Sequence, residues 1–180
     1  TAAAVELERE GRLVIDEQEY VEVKLTDAGR NIASGKNSLP ERRIAKVLRD
    51  LGGSASIKQL LEHPLVKHGA LEPGKHARGL TELGWADFDK GTLVLQPLAA
   101  SAEPKPSSLE QLLQLANATE DALEIAGDNH ADALALLRSR KDYASVKERT
   151  RRIVRATDTG QQMLDAFARE KIAEFDIRTQ

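Results

Sequence analysis

The sequence contains no cysteine. That excludes disulfides and thiolate metal sites and points to a reducing compartment. Aromatic residues make up only 3% of the chain, so any core must be built of Leu, Ile, Val and Ala, and stacking platforms for single-stranded nucleic acid are scarce. No run of 18 or more apolar residues is present, so no transmembrane helix is expected. The chain does not open on a charged segment followed by an apolar one, as a signal peptide would. It begins at Thr1 without Met, which reads as a piece cut from a longer protein.

A strong charge of either sign is also missing. The net charge is −3, which argues against a general polyanion binder, but the distribution is uneven. Residues 1–35 carry 4 basic and 8 acidic side chains, and residues 36–100 carry 10 and 7. Residues 101–180 carry 12 and 14, and between Arg138 and Arg155 there are 8 basic residues against Asp142 and Glu148.

The apolar residues recur at helical and strand spacings. Residues 3–10 read as a helix end stopped by Gly11. Residues 12–16 and 20–25 read as two strands around the polar tip Asp16 to Glu19. Thr26 and Asp27 cap a short helix to Ile32, and residues 34–37 form a linker. Ser38 and Glu41 have the spacing of a capping box, with Pro40 in the first turn. Ile44, Val47, Leu48 and Leu51 then form one apolar helical face. Gly52 and Gly53 end that helix. A second helix is expected from about Ser56 to Glu62, and a third from Glu72-Pro73 to Leu83. Segments Trp85–Phe88 and Thr92–Leu95 flank Asp89-Lys90-Gly91, a tight hairpin signal.

Residues 99–107 are rich in Pro, Ala and Ser and read as a linker. Ser107 and Glu110 make a further capping box, followed by the face Leu109, Leu112, Leu113 and Ala116. Thr119 is expected to cap a helix ending at Gly127, and Asp128 another through Lys141. Strands over 143–149 and 152–157 and a helix from Thr159 to about Ile172 complete the pattern. Residues 23–29 (VKLTDAG) match residues 154–160 (VRATDTG) at the same spacing. These readings predict an α+β, helix-rich fold of tandem winged helix-turn-helix modules, each of three helices plus a β-hairpin wing. They are a partial module over 1–35, a second over 36–98, the linker 99–107 and a third over 108–180.

Five sets of residues bear on chemistry. Residues 69–76 (GALEPGKH) are one residue from a phosphate-binding loop, but His76 stands where Ser or Thr must hold magnesium, and no strand precedes the loop. It reads as a turn into a helix. The four histidines lack metal-ligand spacing, so no metal site is expected. No Gly-x-Ser-x-Gly elbow is present, so no catalytic residue is assigned. Lys75, His76, Arg78 and Glu82, on the helix that would enter a DNA groove, lack the edge-reading set of Arg, Asn and Gln. Trp85, Phe88 and Leu80 read as core.

The fifth set is the basic wing. Lys147, Arg149 and Arg151 alternate along one strand face. Arg152 and Arg155 lie on the returning strand, and Arg138, Arg140 and Lys141 end the preceding helix. Such an array suits phosphate contact, although cations also favour helix C-termini and edge strands on structural grounds alone.

Leu39-Pro40-Glu41-Arg42-Arg43, preceded by residues 23–29, followed by Leu83-Gly84-Trp85-Ala86 and closed by Thr157-Asp158-Thr159-Gly160, resembles the N-terminal region of the alpha subunit of archaeal and eukaryotic phenylalanine–tRNA ligase. The similarity runs from about Glu6 to Ile172 and lies in the order and spacing of the motifs. It implies a non-catalytic string of winged-helix modules that leans on tRNA in the cytoplasm, with no membrane partner. The parent enzyme would attach phenylalanine to tRNA with ATP and magnesium, alongside a beta subunit. No class II synthetase motif lies in these residues, and the acidic tip at 16–19 departs from a tRNA-contacting wing. A winged-helix DNA-binding regulator, dimerising through Met163, Leu164 and Phe167, and a protein-interaction scaffold are the competing functions.

Overall fold

The computed structural model describes residues 2–68 and 71–178. Along the chain run α1 (Ala2–Arg9), β1 (Leu13–Leu25), α2 (Asp27–Ala33), α3 (Pro40–Asp50), β2 (Ser54–Ser56), α4 (Ile57–Glu62), α5 (Pro64–Lys67) and α6 (Pro73–Glu82). Then come β3 (Ala86–Asp89), β4 (Thr92–Leu95), α7 (Pro97–Ser101), α8 (Ser108–Asn117), β5 (Leu123–Ala126), α9 (Ala131–Arg138), β6 (Ala144–Ala156) and α10 (Asp158–Arg178). The fold is α+β, with two three-stranded sheets ordered β5-β1-β6 and β2-β4-β3. Contacts divide the chain into two compact units. One comprises residues 22–147; the other comprises residues 1–21 and 148–180.

The larger unit holds most of the core. Ile44, Val47 and Leu48 are fully buried on α3, with Leu60 of α4, Leu80 of α6 and Leu93 of β4. Leu51, expected on the same face, lies 41% exposed. The β3–β4 hairpin pairs Asp89 with Thr92, and its two turn residues Lys90 and Gly91 both have positive φ, at 46° and 85°. Such a turn matches the strand twist and is the reason for a glycine there. Trp85 is buried, whereas Phe88 is 54% exposed, against the core placement expected for it.

On α8 the capping box forms as the spacing predicts. Ser107 Oγ accepts from the Glu110 amide, and the Glu110 carboxylate accepts from the Ser107 amide at 2.8 Å. Leu109, Leu112, Leu113 and Ala116 are all buried. A second capping box, Ser56 with Gln59, opens α4. The one expected at Ser38 does not form: Leu39 occupies the N-cap, no side chain bonds there, and Glu41 turns inward instead. No helix follows Thr119. Residues 123–126 form β5, because their alternating pattern meets an open strand edge, and Gly127 leaves it at φ 67°. α9 starts at His130 rather than Asp128 and has no side-chain cap.

The two expected terminal hairpins are absent. Residues 13–25 form one strand and residues 144–156 another, and the two pair with each other. Neither polar tip contains the Gly or Asn that a tight turn demands, so extended chain continues through both.

The internal repeat has a structural counterpart. Thr26 caps α2. Its amide donates to the Tyr143 carbonyl at 3.0 Å, its Oγ1 donates to the Asp142 carbonyl, and it accepts from the Gly29 amide at 3.1 Å. Thr157 does the same in the smaller unit. Its amide donates to the Arg12 carbonyl at 2.9 Å, its Oγ1 donates to the Gly11 carbonyl at 2.8 Å, and it accepts from the Gly160 amide at 3.2 Å. A Cβ on Gly29 would overlap the Tyr143 carbonyl oxygen, and one on Gly160 would overlap that of Arg12. The glycine in each copy exists to let a helix start rest on a strand start.

Candidate nucleic-acid interface

The basic residues singled out from the sequence fall into different environments. In the larger unit, Lys141 and Lys147 are exposed, and their side chains make no ion pair or hydrogen bond among the described residues. Arg138 is exposed at the end of α9. Arg140 is not a surface cation. It donates to Glu41 Oε1 at 3.0 Å and to the Leu136 carbonyl at 3.2 Å, and stands 3.6 Å from Glu82, with its side chain only 12% exposed.

In the smaller unit the basic strand is matched by the acidic one. Arg152 bonds Glu17 at 2.9 Å and Arg155 bonds Asp16 at 3.3 Å, while the Arg151 guanidinium lies 4.3 Å from the Tyr20 ring centre. Both ion pairs are well exposed, so each adds on the order of 0–1 kcal/mol. Their larger effect is to offset the local positive field that Arg149, Arg151, Arg152 and Arg155 would otherwise present. The signal was present in the sequence: the acidic tip 16–19 and the basic run 149–155 are complementary strands. Met163 and Leu164 are exposed on α10; the side chain of Phe167, and Gly69 and Ala70 of the glycine-containing loop, lie outside the described residues. Among the described residues no helix is long and apolar enough to cross a membrane, and no three His, Asp or Glu converge as metal ligands.

A second polar site appears in the larger unit, where sequence reasoning placed none. A cleft of about 310 Å³ lies beside α6, lined among others by Glu41, His76, Gly79, Glu82, Arg140 and Tyr143. Glu41 is 3% exposed, and its Oε2 is buried without a partner. Gly79 makes room for it, since a Cβ there would overlap the Glu41 carboxylate. The Tyr143 hydroxyl and the His76 ring make no hydrogen bond among the described residues. Burial and the nearby Glu41 charge push the Tyr143 phenol up, so it stays neutral.

His76 is held below the ordinary histidine value, chiefly by burial. The charges of Lys75 and Arg140 add to the lowering, while those of Glu41 and Glu72 oppose it. The unfolded chain therefore takes the proton more readily. Stability will fall as pH drops through about 6.5, the ordinary value, toward the folded one. His76→Gln should remove that part of the slope when urea unfolding is compared between about pH 7.5 and 5.5. An unchanged slope would remove His76 as its source.

Arg42 anchors the other flank of α3. Its guanidinium donates to Glu110 Oε2 at 2.9 Å, to the Pro104 carbonyl at 2.7 Å and to the Lys105 carbonyl at 3.2 Å, and it lies 4.9 Å from the Trp85 ring centre. The hydrogen bond to Glu110 raises its pKa. For Glu110, burial pushes upward, but the bonds from Arg42 and Ser107 outweigh it and hold the carboxyl below its usual range.

One curated relative has been found. The chain is 26% identical over 171 residues to the phenylalanine–tRNA ligase alpha subunit of Methanopyrus kandleri, which covers 88% of this chain and 31% of the relative. The chain thus spans about a third of that protein's length, and the relationship is distant. No family model matches the chain. No solved structure matches it either.

Proposed function

We propose that this chain is a non-catalytic, tRNA-contacting region of a phenylalanine–tRNA ligase alpha subunit, built of winged-helix modules. The observation that carries the reading is the similarity to the Methanopyrus kandleri subunit along 88% of the chain. The order α3, β2, α4, α6, β3, β4 with sheet order β2-β4-β3 supports a winged-helix module. A second follows as α8, β5, α9 and β6, with β1 as the central strand of its sheet, β5-β1-β6. Catalysis with ATP and magnesium, and pairing with a beta subunit in the cytoplasm, belong on this reading to the parent enzyme.

A DNA-reading regulator is less well supported. The helix it would insert into the major groove, α6, exposes Lys75, Arg78 and Glu82, with Arg78 paired to Glu82 at 2.9 Å, and lacks the Asn and Gln that read base edges. The exposed residues of α9 are Ala131, Asp132, Ala135 and Arg138, a poor set for base edges.

A salt-titrated binding assay of the chain against unmodified tRNA and a random DNA duplex tests the proposal. Preferential tRNA binding that weakens with salt is expected. Lys141→Glu with Lys147→Glu should reduce tRNA affinity about tenfold and the salt slope by about 2. Equal or tighter duplex binding would overturn the reading, and so would absence of binding to either at low salt.

A further inference from the structure

The cleft beside α6 has features that a structural ion pair does not require. Glu41, on its lining, has a buried Oε2 with no hydrogen-bond partner among the described residues. Tyr143 and His76 line the same cleft, and neither the Tyr143 hydroxyl, which is neutral, nor the His76 ring makes a hydrogen bond among the described residues. A ligand that completes the site would offer a donor to Glu41 and an acceptor to Tyr143.

Charge narrows the choice. Arg140 already neutralises Glu41 at 3.0 Å and would repel a cation placed on the same carboxylate. Glu41 and Glu82 would repel an anion driven to the same depth. The inner end thus suits an uncharged group, and the rings of Tyr143 and His76 offer faces for a flat one. The rim differs: Arg78 is paired there with Glu82 at 2.9 Å, while Lys75, exposed on α6, makes no ion pair among the described residues and suits a phosphate. A neutral planar group with a donor and an acceptor, linked to a phosphate, describes a nucleotide. Unpaired RNA bases are recognised by this combination of hydrogen bonds to their edges and stacking on aromatic or guanidinium faces.

We infer that this cleft is a pocket for a single unpaired RNA base, with Glu41 Oε2 accepting from an amino or imino group, Tyr143 donating to an acceptor on the base, and Lys75 facing the phosphate. The inference rests on the tRNA-contacting reading above and gives it a definite address. It also assigns a role to Gly79, whose missing side chain makes room for the Glu41 carboxylate.

The test is a titration of the ¹⁵N-labelled chain with each of the four ribonucleoside 5′-monophosphates, following the Gly79 and Tyr143 amides by NMR. At least one nucleotide should produce saturable shifts there, with a dissociation constant on the order of 1 mM. Tyr143→Phe, which removes no hydrogen bond within the described residues, should weaken it about fivefold, and Glu41→Gln about tenfold. Melting temperatures of both variants separate a lost ligand contact from a lost fold.

Absence of saturable shifts at the cleft with all four nucleotides would overturn the inference. Equal shifts with ribose 5-phosphate would overturn it too, because the rim alone would then be binding. If tRNA binds the chain and Tyr143→Phe leaves that affinity unchanged, the pocket is not used and the inference falls, while the tRNA reading stands. If tRNA does not bind but a mononucleotide saturates the cleft, the pocket stands and the tRNA reading falls.

Discussion

Arg140→Ala is expected to lower the free energy of unfolding by roughly 3–5 kcal/mol. The side chains of Arg140 and Glu41 are only 12% and 5% exposed, and they meet at 3.0 Å. Removing the guanidinium strands a carboxylate in the interior with Oε1 as well as Oε2 unsatisfied. It also withdraws the donor to the Leu136 carbonyl and the more distant of two cations beside Glu82, which keeps Arg78 at 2.9 Å. The pair itself need not be strongly stabilising, since desolvating two charges consumes most of their attraction. A double variant, Glu41→Leu with Arg140→Met, should therefore recover much of the loss, because no charge is then left buried. Urea denaturation of the single and double variants decides the matter. A loss below about 1 kcal/mol in Arg140→Ala, the range of an exposed pair, would show that Glu41 is not held as described.

Gly29→Ala is expected to destabilise by about 2–3 kcal/mol, although alanine is the better helix former by about 1 kcal/mol. The added Cβ would overlap the Tyr143 carbonyl oxygen, which accepts from the amide of Thr26 at 3.0 Å. Backbone cannot swing aside as a flexible side chain can. The fitting control is Gly74→Ala on α6, where nothing lies within 4 Å. That change should be neutral or stabilise by up to about 1 kcal/mol. Equal effects of the two substitutions in thermal melts would contradict the close packing at Gly29.

The residues that carry the resemblance to the synthetase subunit are occupied in holding the fold. In Leu39-Pro40-Glu41-Arg42, leucine is fully buried, proline sits in the first turn of α3, glutamate grips Arg140 and arginine grips Glu110 and the chain before α8. In Leu83-Gly84-Trp85-Ala86, the glycine turns at φ 68° and the tryptophan lies under Arg42. The two Thr-x-x-Gly segments rest helices on strand starts. The shared pattern therefore speaks first to architecture: Lys141 and Lys147 lie outside it, and Glu41 is its one member among the residues lining the cleft beside α6.

Local features were legible in the sequence because their causes are local. The buried face of α8 and its capping box follow from 3.6-residue periodicity and a side chain reaching three residues along. The Lys90-Gly91 turn follows from the φ values a two-residue hairpin needs. The repeat of residues 23–29 at 154–160 was visible as a spacing and proved to be one packing solution used twice. Tertiary structure alone decided which strand pairs with which and where each charge goes. Segments 13–25 and 144–156 each looked like a whole local hairpin, yet each is one strand and the two pair with each other more than a hundred residues apart, because a strand edge is satisfied by whichever complementary strand the packed helices deliver. Glu41 had the spacing of a helix cap and became a buried acceptor, and Arg140 had the look of a surface cation and became its partner. A side chain's charge is written in the sequence, but its environment is set by what the fold places opposite it.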